Sequence, residues 1–181
     1  MADINGSSIG DNISGSALGD RILSGQGNDT VHGAGGDDYI IGGANSDNLY
    51  GDEGNDTIYG GGSADKLRGG EGNDYLNGGG GADRIYGGSG DDIIFGGAGD
   101  DVLYGDNPND PTETGADIFE FDKDDGSDKV FDFELGLDKV RLLEGNTYSL
   151  SYLGDNTILT YGTTTVRFYD AHLTSADIIF A

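Results

Sequence analysis

The strongest constraint on this chain is a repeat of nine residues that runs without a gap from residue 11 to residue 103. In the clearest copy, residues 69–77 read Gly-Gly-Glu-Gly-Asn-Asp-Tyr-Leu-Asn, a glycine-rich turn, an aspartate and then an aliphatic residue. The aspartate recurs at Asp11, Asp20, Asp29, Asp38, Asp47, Asp56, Asp65, Asp74, Asp83, Asp92 and Asp101. The aliphatic residue recurs at Ile13, Ile22, Val31, Ile40, Leu49, Ile58, Leu67, Leu76, Ile85, Ile94 and Leu103. A fixed period of this kind is typical of solenoids, in which each repeat packs only on its neighbours.

Each nonapeptide predicts one turn and one strand. The six turn residues, G-G-x-G-x-D, need glycine because tight turns use backbone angles that a Cβ disfavours. The three strand residues direct the aliphatic side chain inward and its two neighbours outward, since side chains alternate along a strand. Two nonapeptides complete a coil, and about five coils form a rod about 25 Å long at the strand spacing. The predicted fold is all-β, a right-handed parallel β-roll whose aspartates line opposite edges in alternate repeats.

Composition alone suggests a disordered acidic polymer, because only 34% of residues are hydrophobic and the net charge is −25. The unbroken aspartate and aliphatic columns argue against permanent disorder, but they allow a chain that orders only when its carboxylates are neutralised. The negative charge argues against nucleic acid as a partner. The chain has no cysteine, no N-terminal Sec-type signal and no apolar run long enough to span a membrane.

The turns supply the ligands that calcium prefers, which are six to eight hard oxygens from carboxylates and backbone carbonyls. Aspartates two repeats apart face each other across one coil spacing, and stacked carboxylates about 5 Å apart repel strongly unless a cation lies between them. We therefore predict several Ca²⁺ ions as the cofactor, bound in a single event with folding. The alternative is a metal-free solenoid with solvated carboxylates.

We predict two parts of the chain. Residues 1–110 form the calcium-binding roll, with atypical opening repeats in which Ile4, Ile9 and Leu18 cover the exposed end. Residues 111–181 form an antiparallel β-cap and a secretion signal; both prolines lie in the loop or partial repeat at 105–116, between the two parts. Candidate strands after it are Asp117–Phe121, Lys129–Phe133, Lys139–Leu143, Ser149–Leu153, Thr157–Tyr161, Thr165–Tyr169 and Ile178–Phe180.

At residues 6–110 the array resembles the RTX (repeats-in-toxin) parallel β-roll of type I-secreted proteases, lipases, toxins and alginate epimerases. Residues 128–142 also resemble the segment that commonly follows such arrays. The resemblance implies that each ion is held by carbonyls two and four of one turn with its aspartate, and by carbonyls one and three of the turn 18 residues later with its aspartate. One implied site joins Gly70, Gly72 and Asp74 to Gly87, Ser89 and Asp92.

The metal-binding residues that the resemblance implies run through nine turns. They are Gly25, Gly27, Asp29, Ala34, Gly36, Asp38, Gly42, Gly43, Ala44, Asn45, Asp47, Gly51, Asp52, Glu53, Gly54, Asp56, Gly60, Gly61, Gly62, Ser63, Asp65, Gly69, Gly70, Glu71, Gly72, Asp74, Gly78, Gly79, Gly80, Gly81, Asp83, Gly87, Ser89, Asp92, Gly96, Ala98 and Asp101. Asn45 and Ser63 depart from glycine at the fourth turn position, and Asp52 departs at the second. The pairs Asp20–Asp38 and Asp92–Asp110 are left out of the predicted sites.

The resemblance also implies a secreted, extracellular protein whose partner is the type I secretion apparatus. The last residues, 173–181, read as an acidic residue before an apolar tail, which fits an uncleaved export signal; the alternative is an ordinary last strand. The sequence has no G-x-S-x-G, H-E-x-x-H or P-loop motif, and His32 and His172 lack zinc-like spacing. We therefore predict no enzymatic activity.

Three roles remain open for such a chain. The first is the non-catalytic C-terminal module of a secreted enzyme or toxin, and the second is a stand-alone surface, matrix or polysaccharide-binding protein. The third is an accessory module of a secreted hydrolase or epimerase. Outward-facing aromatic residues, among them Tyr50, Tyr86 and Tyr104 with Arg68 in the same column, suggest a strip for polysaccharide or self-association. The alternative is ordinary cross-strand packing on a solvated face.

Overall fold

The computed structural model describes residues 2–108, 114–145 and 147–181, which form nineteen strands and no helix. Nothing in these three ranges is a helix that could cross a membrane. The strands are β1 Asp3–Asn5, β2 Asn12–Ser14, β3 Arg21–Gln26, β4 Thr30–Gly35, β5 Tyr39–Ala44, β6 Asn48–Glu53, β7 Thr57–Gly62, β8 Lys66–Glu71, β9 Tyr75–Gly80, β10 Arg84–Ser89, β11 Ile93–Ala98, β12 Val102–Tyr104, β13 Ile118–Phe121, β14 Ser127–Phe131, β15 Lys139–Leu142, β16 Ser149–Leu153, β17 Asn156–Tyr161, β18 Thr164–Phe168 and β19 Ile178–Phe180.

The strands form two sheets that face each other across a thin core. One sheet has the order β1-β3-β5-β7-β9-β11-β13-β15-β19, and the other has the order β16-β17-β18-β14-β12-β10-β8-β6-β4-β2. Within the array each strand pairs in parallel with the strand two repeats later, as Leu76 with Ile94 and Leu67 with Ile85. The predicted all-β parallel roll, with alternate repeats on opposite faces, is confirmed.

The core is the predicted aliphatic column. Ten of its eleven members are fully buried, and Ile13 at the open end is 9% exposed. The predicted apolar cover at the opening is wrong for Ile9 and Leu18, which are 70% and 66% exposed, because the fourth turn position points outward whatever residue occupies it. Ile4 packs against the core as expected.

Strands β3 to β11 are six residues long rather than the three predicted. Pairing stops at the corner glycine and resumes after it, so that Gly43 pairs with Gly61 and Ala44 with Gly62. The backbones can stack through the corner because glycine has no Cβ; one built on Gly43 would lie 2.2 Å from the carbonyl oxygen of Gly25. The turn proper is therefore only three residues.

The C-terminal region continues the roll, which the sequence did not predict. Among the described residues of this region, antiparallel pairing is limited to β16, β17 and β18; β13, β15 and β19 extend one sheet in parallel, and β14 and β18 extend the other. Phe119 and Val130 stack on Ile94 and Leu103, so the core passes from the repeats into this region without a break. The roll has about eight coils rather than five.

The division into residues 1–110 and 111–181 stays a prediction, because the boundary falls on residues outside the described ranges. Asp110 and part of the expected loop at 105–116 also lie outside them. The candidate strands of this region are present; Ser149–Leu153 and Ile178–Phe180 have the expected ends, and the ends of the other five differ by at most two residues.

Candidate metal centre

The nine turns from Asp29 to Asp101 share one backbone shape. In each, the second and fourth positions have positive φ, from 75° at Asp52 to 151° at Gly99. The residues that depart from glycine adopt the same conformation: φ is 77° at Asn45, 79° at Ser63 and 82° at Ala34. This conformation is unfavourable by about 1–2 kcal/mol for a residue with a Cβ. The array therefore keeps its turn shape at these positions even though the non-glycine residues are locally strained.

One oxygen of each array aspartate holds the coils together. The Oδ1 atom accepts a hydrogen bond from the backbone N–H of the aspartate 18 residues earlier, at 2.7 Å from Asp56 to Asp74 and 2.8 Å from Asp74 to Asp92. The same bond recurs on both edges of the roll. The aspartate column therefore has a structural role that uses only half of each carboxylate.

The other oxygen, Oδ2, is buried and has no hydrogen-bond partner in the part of the chain that the structure describes. This holds for Asp29, Asp38, Asp47, Asp56, Asp65, Asp74, Asp83, Asp92 and Asp101. None of these nine residues is more than 3% exposed. Buried polar atoms in folded proteins are almost always paired, because an unpaired one costs about 1–3 kcal/mol and a charged one more.

Burial also changes the proton affinity of these carboxyls. It raises the pKa of Asp56, Asp65 and Asp101 to about 7, and the pKa of Asp92 to about 9. Without a compensating cation, such groups would take up protons near neutral pH.

Backbone carbonyls face the same space as the unpaired oxygen. A Cβ built on Gly69 would lie 2.0 Å from Oδ2 of Asp74 and 2.6 Å from the carbonyl oxygen of Gly87, one coil further on. The carbonyl of Gly72 points toward the same coil, since it would lie 2.2 Å from a Cβ on Gly90. Carboxylate and carbonyl oxygens therefore converge between turns 18 residues apart.

The same arrangement repeats along both edges. A Cβ would meet an aspartate Oδ2 and a carbonyl oxygen of the next coil within 2.7 Å at Gly33, Gly42, Gly51, Gly60, Gly78 and Gly87. The carbonyl at the third turn position points toward the preceding coil: the carbonyl of Ser89, for example, accepts a hydrogen bond from the N–H of Gly72 at 2.8 Å. The structure thus brings together the residues of each implied site, while their role as ligands stays a prediction.

This donor set fits calcium. Each gap between coils offers two carboxylates and several carbonyl oxygens, all hard ligands. In the described ranges no group of three or more acidic or histidine side chains is placed to hold a metal. A site in which backbone carbonyls provide much of the oxygen would need only two side chains.

The two opening turns differ from the array. Oδ2 of Asp11 accepts hydrogen bonds from the N–H and hydroxyl of Ser7 at 2.7 and 2.8 Å, and Oδ2 of Asp20 accepts them from Ser16 at 2.9 and 2.8 Å. Neither serine has positive φ. A serine at the second turn position therefore satisfies the oxygen that the array leaves unpaired; the omission of Asp20–Asp38 from the predicted sites stays a prediction.

Sequence reasoning missed two aspartates that continue the columns. Asp92 N–H donates to Oδ1 of Asp117 at 3.0 Å, and Asp101 N–H donates to Oδ1 of Asp128 at 3.0 Å. Each has a glycine two residues before it and a large apolar residue, Phe119 or Val130, two residues after it, as in the repeat. They escape a search at period nine because Asp117 follows Asp101 by sixteen residues and Asp128 follows Asp117 by eleven.

The outward aromatic residues stack on one another. Ring centroids lie 4.8 Å apart for Tyr86 and Tyr104, 5.2 Å for Tyr104 and Phe131, and 4.4 Å for Phe131 and Tyr169. Arg68 stands in register beside Tyr86, on the strand before it. Because the ring faces cover each other, the column presents ring edges outward, which favours cross-strand packing over a platform for sugar rings.

Adding a methyl group at one of these glycines tests whether the carboxylate and carbonyl oxygens converge there; we call the space between those oxygens a cradle. Gly78→Ala would place its Cβ 2.3 Å from Oδ2 of Asp83 and 2.5 Å from the carbonyl oxygen of Gly96, whereas Gly80→Ala meets nothing within 4 Å. Neither glycine has positive φ, so backbone strain does not distinguish them. We expect Gly78→Ala to destabilise the calcium-saturated protein by about 2–3 kcal/mol and Gly80→Ala to be nearly neutral, measured by urea unfolding. Equal effects would contradict a cradle at Gly78.

The chain was compared with known protein families, curated sequences and solved structures. The family model of the RTX calcium-binding nonapeptide repeat (4 copies) matches residues 14–49, 41–76 and 77–110. No curated protein sequence matches the chain. Similar solved structures include the extracellular lipase LipA from Serratia marcescens, at 20% identity and a TM-score of 0.48, covering 92% of this chain and 39% of the lipase chain. The AlgE6R3 subunit of the Azotobacter vinelandii mannuronan C5-epimerase is also similar, at 22% identity and a TM-score of 0.30, covering 97% of this chain and 81% of that subunit.

The chain therefore spans about two fifths of the lipase's length. The family model covers more than half of the chain, on the same turns in which the nine unpaired carboxylate oxygens lie. The chain belongs to the family of RTX calcium-binding nonapeptide-repeat proteins.

Proposed function

We propose that this protein binds several Ca²⁺ ions between successive coils and folds as it binds them. The observation that supports this most directly is the buried, unpaired Oδ2 at each of nine successive turns. When bound, calcium supplies the positive charge that these oxygens lack. The protein's own residues place the donors: Oδ1 ties each aspartate to the neighbouring coil, and glycines at the turn corners leave room for the carbonyls.

We further propose that the protein is secreted by the type I apparatus and works outside the cell. An acidic chain of this kind stays unfolded where calcium is scarce, which suits export, and folds where calcium is near millimolar, the range of weak extracellular sites. The last residues would carry the export signal; they include β19, which pairs with β15 as an ordinary strand would. Deleting residues 173–181 and measuring export separates the two interpretations.

Within a larger secreted protein, the role we favour is a non-catalytic calcium-dependent module. The support is the repeat family together with a donor set made for metal binding. A stand-alone surface or matrix protein is the second candidate, since the roll and its continuation form one core. The stacked column of Tyr86, Tyr104 and Phe131 gives no support to a polysaccharide strip, and chromatography of Tyr86 and Tyr104 variants on immobilised glycans tests it.

Two substitutions in one turn test the proposed ligands. Asp74→Ala and Glu71→Ala each remove one negative charge, but Asp74 is buried between coils while the Glu71 side chain is exposed and only its carbonyl is an implied ligand. Losing a hydrogen bond or ligand contact to a charged group costs about 1.5–3 kcal/mol. We therefore expect Asp74→Ala to raise the half-saturating calcium concentration by roughly tenfold or more, and Glu71→Ala to change it by less than about twofold. Calorimetric titration measures both, and an unchanged curve for Asp74→Ala would refute its assignment.

A further inference from the structure

The column of aspartates does not end where the nine-residue period ends. The last two array aspartates, Asp92 and Asp101, are each 1% exposed, and their Oδ2 atoms have no hydrogen-bond partner among the described residues. In the strict period their partners would be residues 110 and 119, which are an aspartate outside the described ranges and a phenylalanine. The oxygens therefore need different partners.

The structure assigns two further calcium sites, one between Asp92 and Asp117 and one between Asp101 and Asp128, outside the nonapeptide repeats. This inference rests on the proposed calcium-binding function and extends it to residues that neither the repeat nor the family model includes. Its basis is a set of contacts that both sites share with the array turns.

The first site repeats the array contacts around Asp92. A Cβ on Gly87 would lie 2.2 Å from Oδ2 of Asp92 and 2.3 Å from the carbonyl oxygen of Gly105, as at Gly69 in the array. The carbonyl of Gly90 points at Gly115, where a Cβ would meet it at 1.8 Å. The carboxylate oxygen and these carbonyls therefore face one gap that Asp117 closes.

One further hydrogen bond matches the array at this site, and a second positions a carbonyl-bearing residue. Gly90 N–H donates to the carbonyl of Thr114 at 3.2 Å, as Gly72 N–H donates to that of Ser89. Asp132 acts here as a positioning residue: its Oδ1 accepts the N–H of Gly105 at 3.0 Å. That bond fixes the N–H of Gly105, the residue whose carbonyl faces Asp92.

The second site uses a turn that hardly resembles the repeat in sequence. Residues 123–128 read Lys-Asp-Asp-Gly-Ser-Asp, and only the glycine at the fourth position and the final aspartate match the G-G-x-G-x-D pattern. Gly126 nevertheless has a φ of 120° and pairs with Gly99 across the coil gap. A Cβ built on Gly126 would lie 2.0 Å from the carbonyl oxygen of Gly99. Gly99 N–H donates to the carbonyl of Asp125 at 2.6 Å, the same bond that the array turns make.

The next turn shows where the ladder stops. Oδ1 of Asp138 accepts the N–H of Asp117 at 2.9 Å, so Asp138 continues the column. Its Oδ2, however, accepts the N–H of Glu134 at 2.7 Å, as the opening aspartates accept those of serines. Asp138 therefore has both oxygens satisfied by the chain and serves as a matched control.

The test is the number of calcium ions bound per full-length chain, measured by equilibrium dialysis at saturating calcium. Asparagine keeps an oxygen for the bond from Asp92 or Asp101 but removes the charge. We expect Asp117→Asn and Asp128→Asn each to bind one ion fewer than the wild type, the double variant two fewer, and Asp138→Asn the same number. An unchanged count for Asp117→Asn and Asp128→Asn overturns the inference, whereas a wild type that binds no calcium overturns the proposed function itself.

Diffraction from wild-type crystals grown in calcium removes any dependence on how the variants fold. Anomalous peaks between Asp92 and Asp117 and between Asp101 and Asp128 are expected. Peaks confined to the gaps between array turns would overturn the inference and leave the proposed function standing.

Discussion

Removing calcium at pH 8 is expected to unfold most of the roll. Nine buried carboxylates would then keep an unpaired oxygen each, and holding a group with a pKa of about 7 ionised at pH 8, against an ordinary value near 4, costs on the order of 3–4 kcal/mol. A folded domain is stable by only about 5–15 kcal/mol, so two or three such groups already exhaust it. The hydrophobic column cannot offset them, because each coil buries only two aliphatic side chains.

Circular dichroism during a calcium titration measures this transition. We expect a coil-like spectrum in excess chelator and a steep, cooperative gain of β-structure on adding calcium, because each ion joins two coils. Magnesium is the control: it requires near-ideal octahedral geometry and gives up water reluctantly, so it should substitute poorly. A well-ordered β spectrum in chelator at pH 8 would contradict coupled folding.

Acid is expected to have opposite effects with and without calcium. Burial raises the pKa of Asp56, Asp65 and Asp101 to about 7, so the folded chain binds more protons than the unfolded chain between about pH 4 and 7. The stability of the calcium-free roll should therefore rise as pH falls through that window. In the calcium-loaded protein the same protons compete with the metal, so the apparent calcium affinity should fall as pH falls.

Far-UV circular dichroism and hydrodynamic radius in chelator, at pH 8 and pH 5, measure the first effect. Compaction and new β-structure at pH 5 are expected, at a pH still above the isoelectric point of about 4.1. Because acid also reduces the net charge of −25, a sample at pH 8 in 1 M NaCl is the control; salt screens surface repulsion but cannot protonate buried carboxyls. Equal compaction in salt would show that general repulsion, rather than the buried aspartates, keeps the chain unfolded.

Much of the site could be located by counting along the chain. With two repeats per coil, Asp56 and Asp74 must lie on the same edge one strand spacing apart, and Leu67 must point into the core. The structure places all of them so, and even Asp52 and Ser63 adopt the turn conformation that glycine normally takes. A strict local period is sufficient here because each coil contacts only its neighbours.

The two ends of the ladder could not be found by counting. At the opening, Ser7 and Ser16 each donate two hydrogen bonds, from the N–H and the hydroxyl, to an aspartate oxygen. These serines lack the positive φ that the second turn position has in the array. At the other end, the antiparallel cap expected from hairpin signals is limited to β16, β17 and β18, and the strands around it rejoin the parallel sheets. Hairpin turns in the sequence predict the pairing of strands that are adjacent along the chain, but they do not predict the pairing of strands that are far apart in it.

What the sequence determined by itself is the repeating unit: its turn, its inward side chain, its carboxylate and the edge on which that carboxylate lies. What only the tertiary structure decided is how far the unit extends. Asp117 and Asp128 join the columns across 25 and 27 residues because Phe119 and Val130 stack on the last aliphatic residues of the array. Such long-range pairing is set by core packing, and core packing tolerates insertions between coils that erase the nine-residue period.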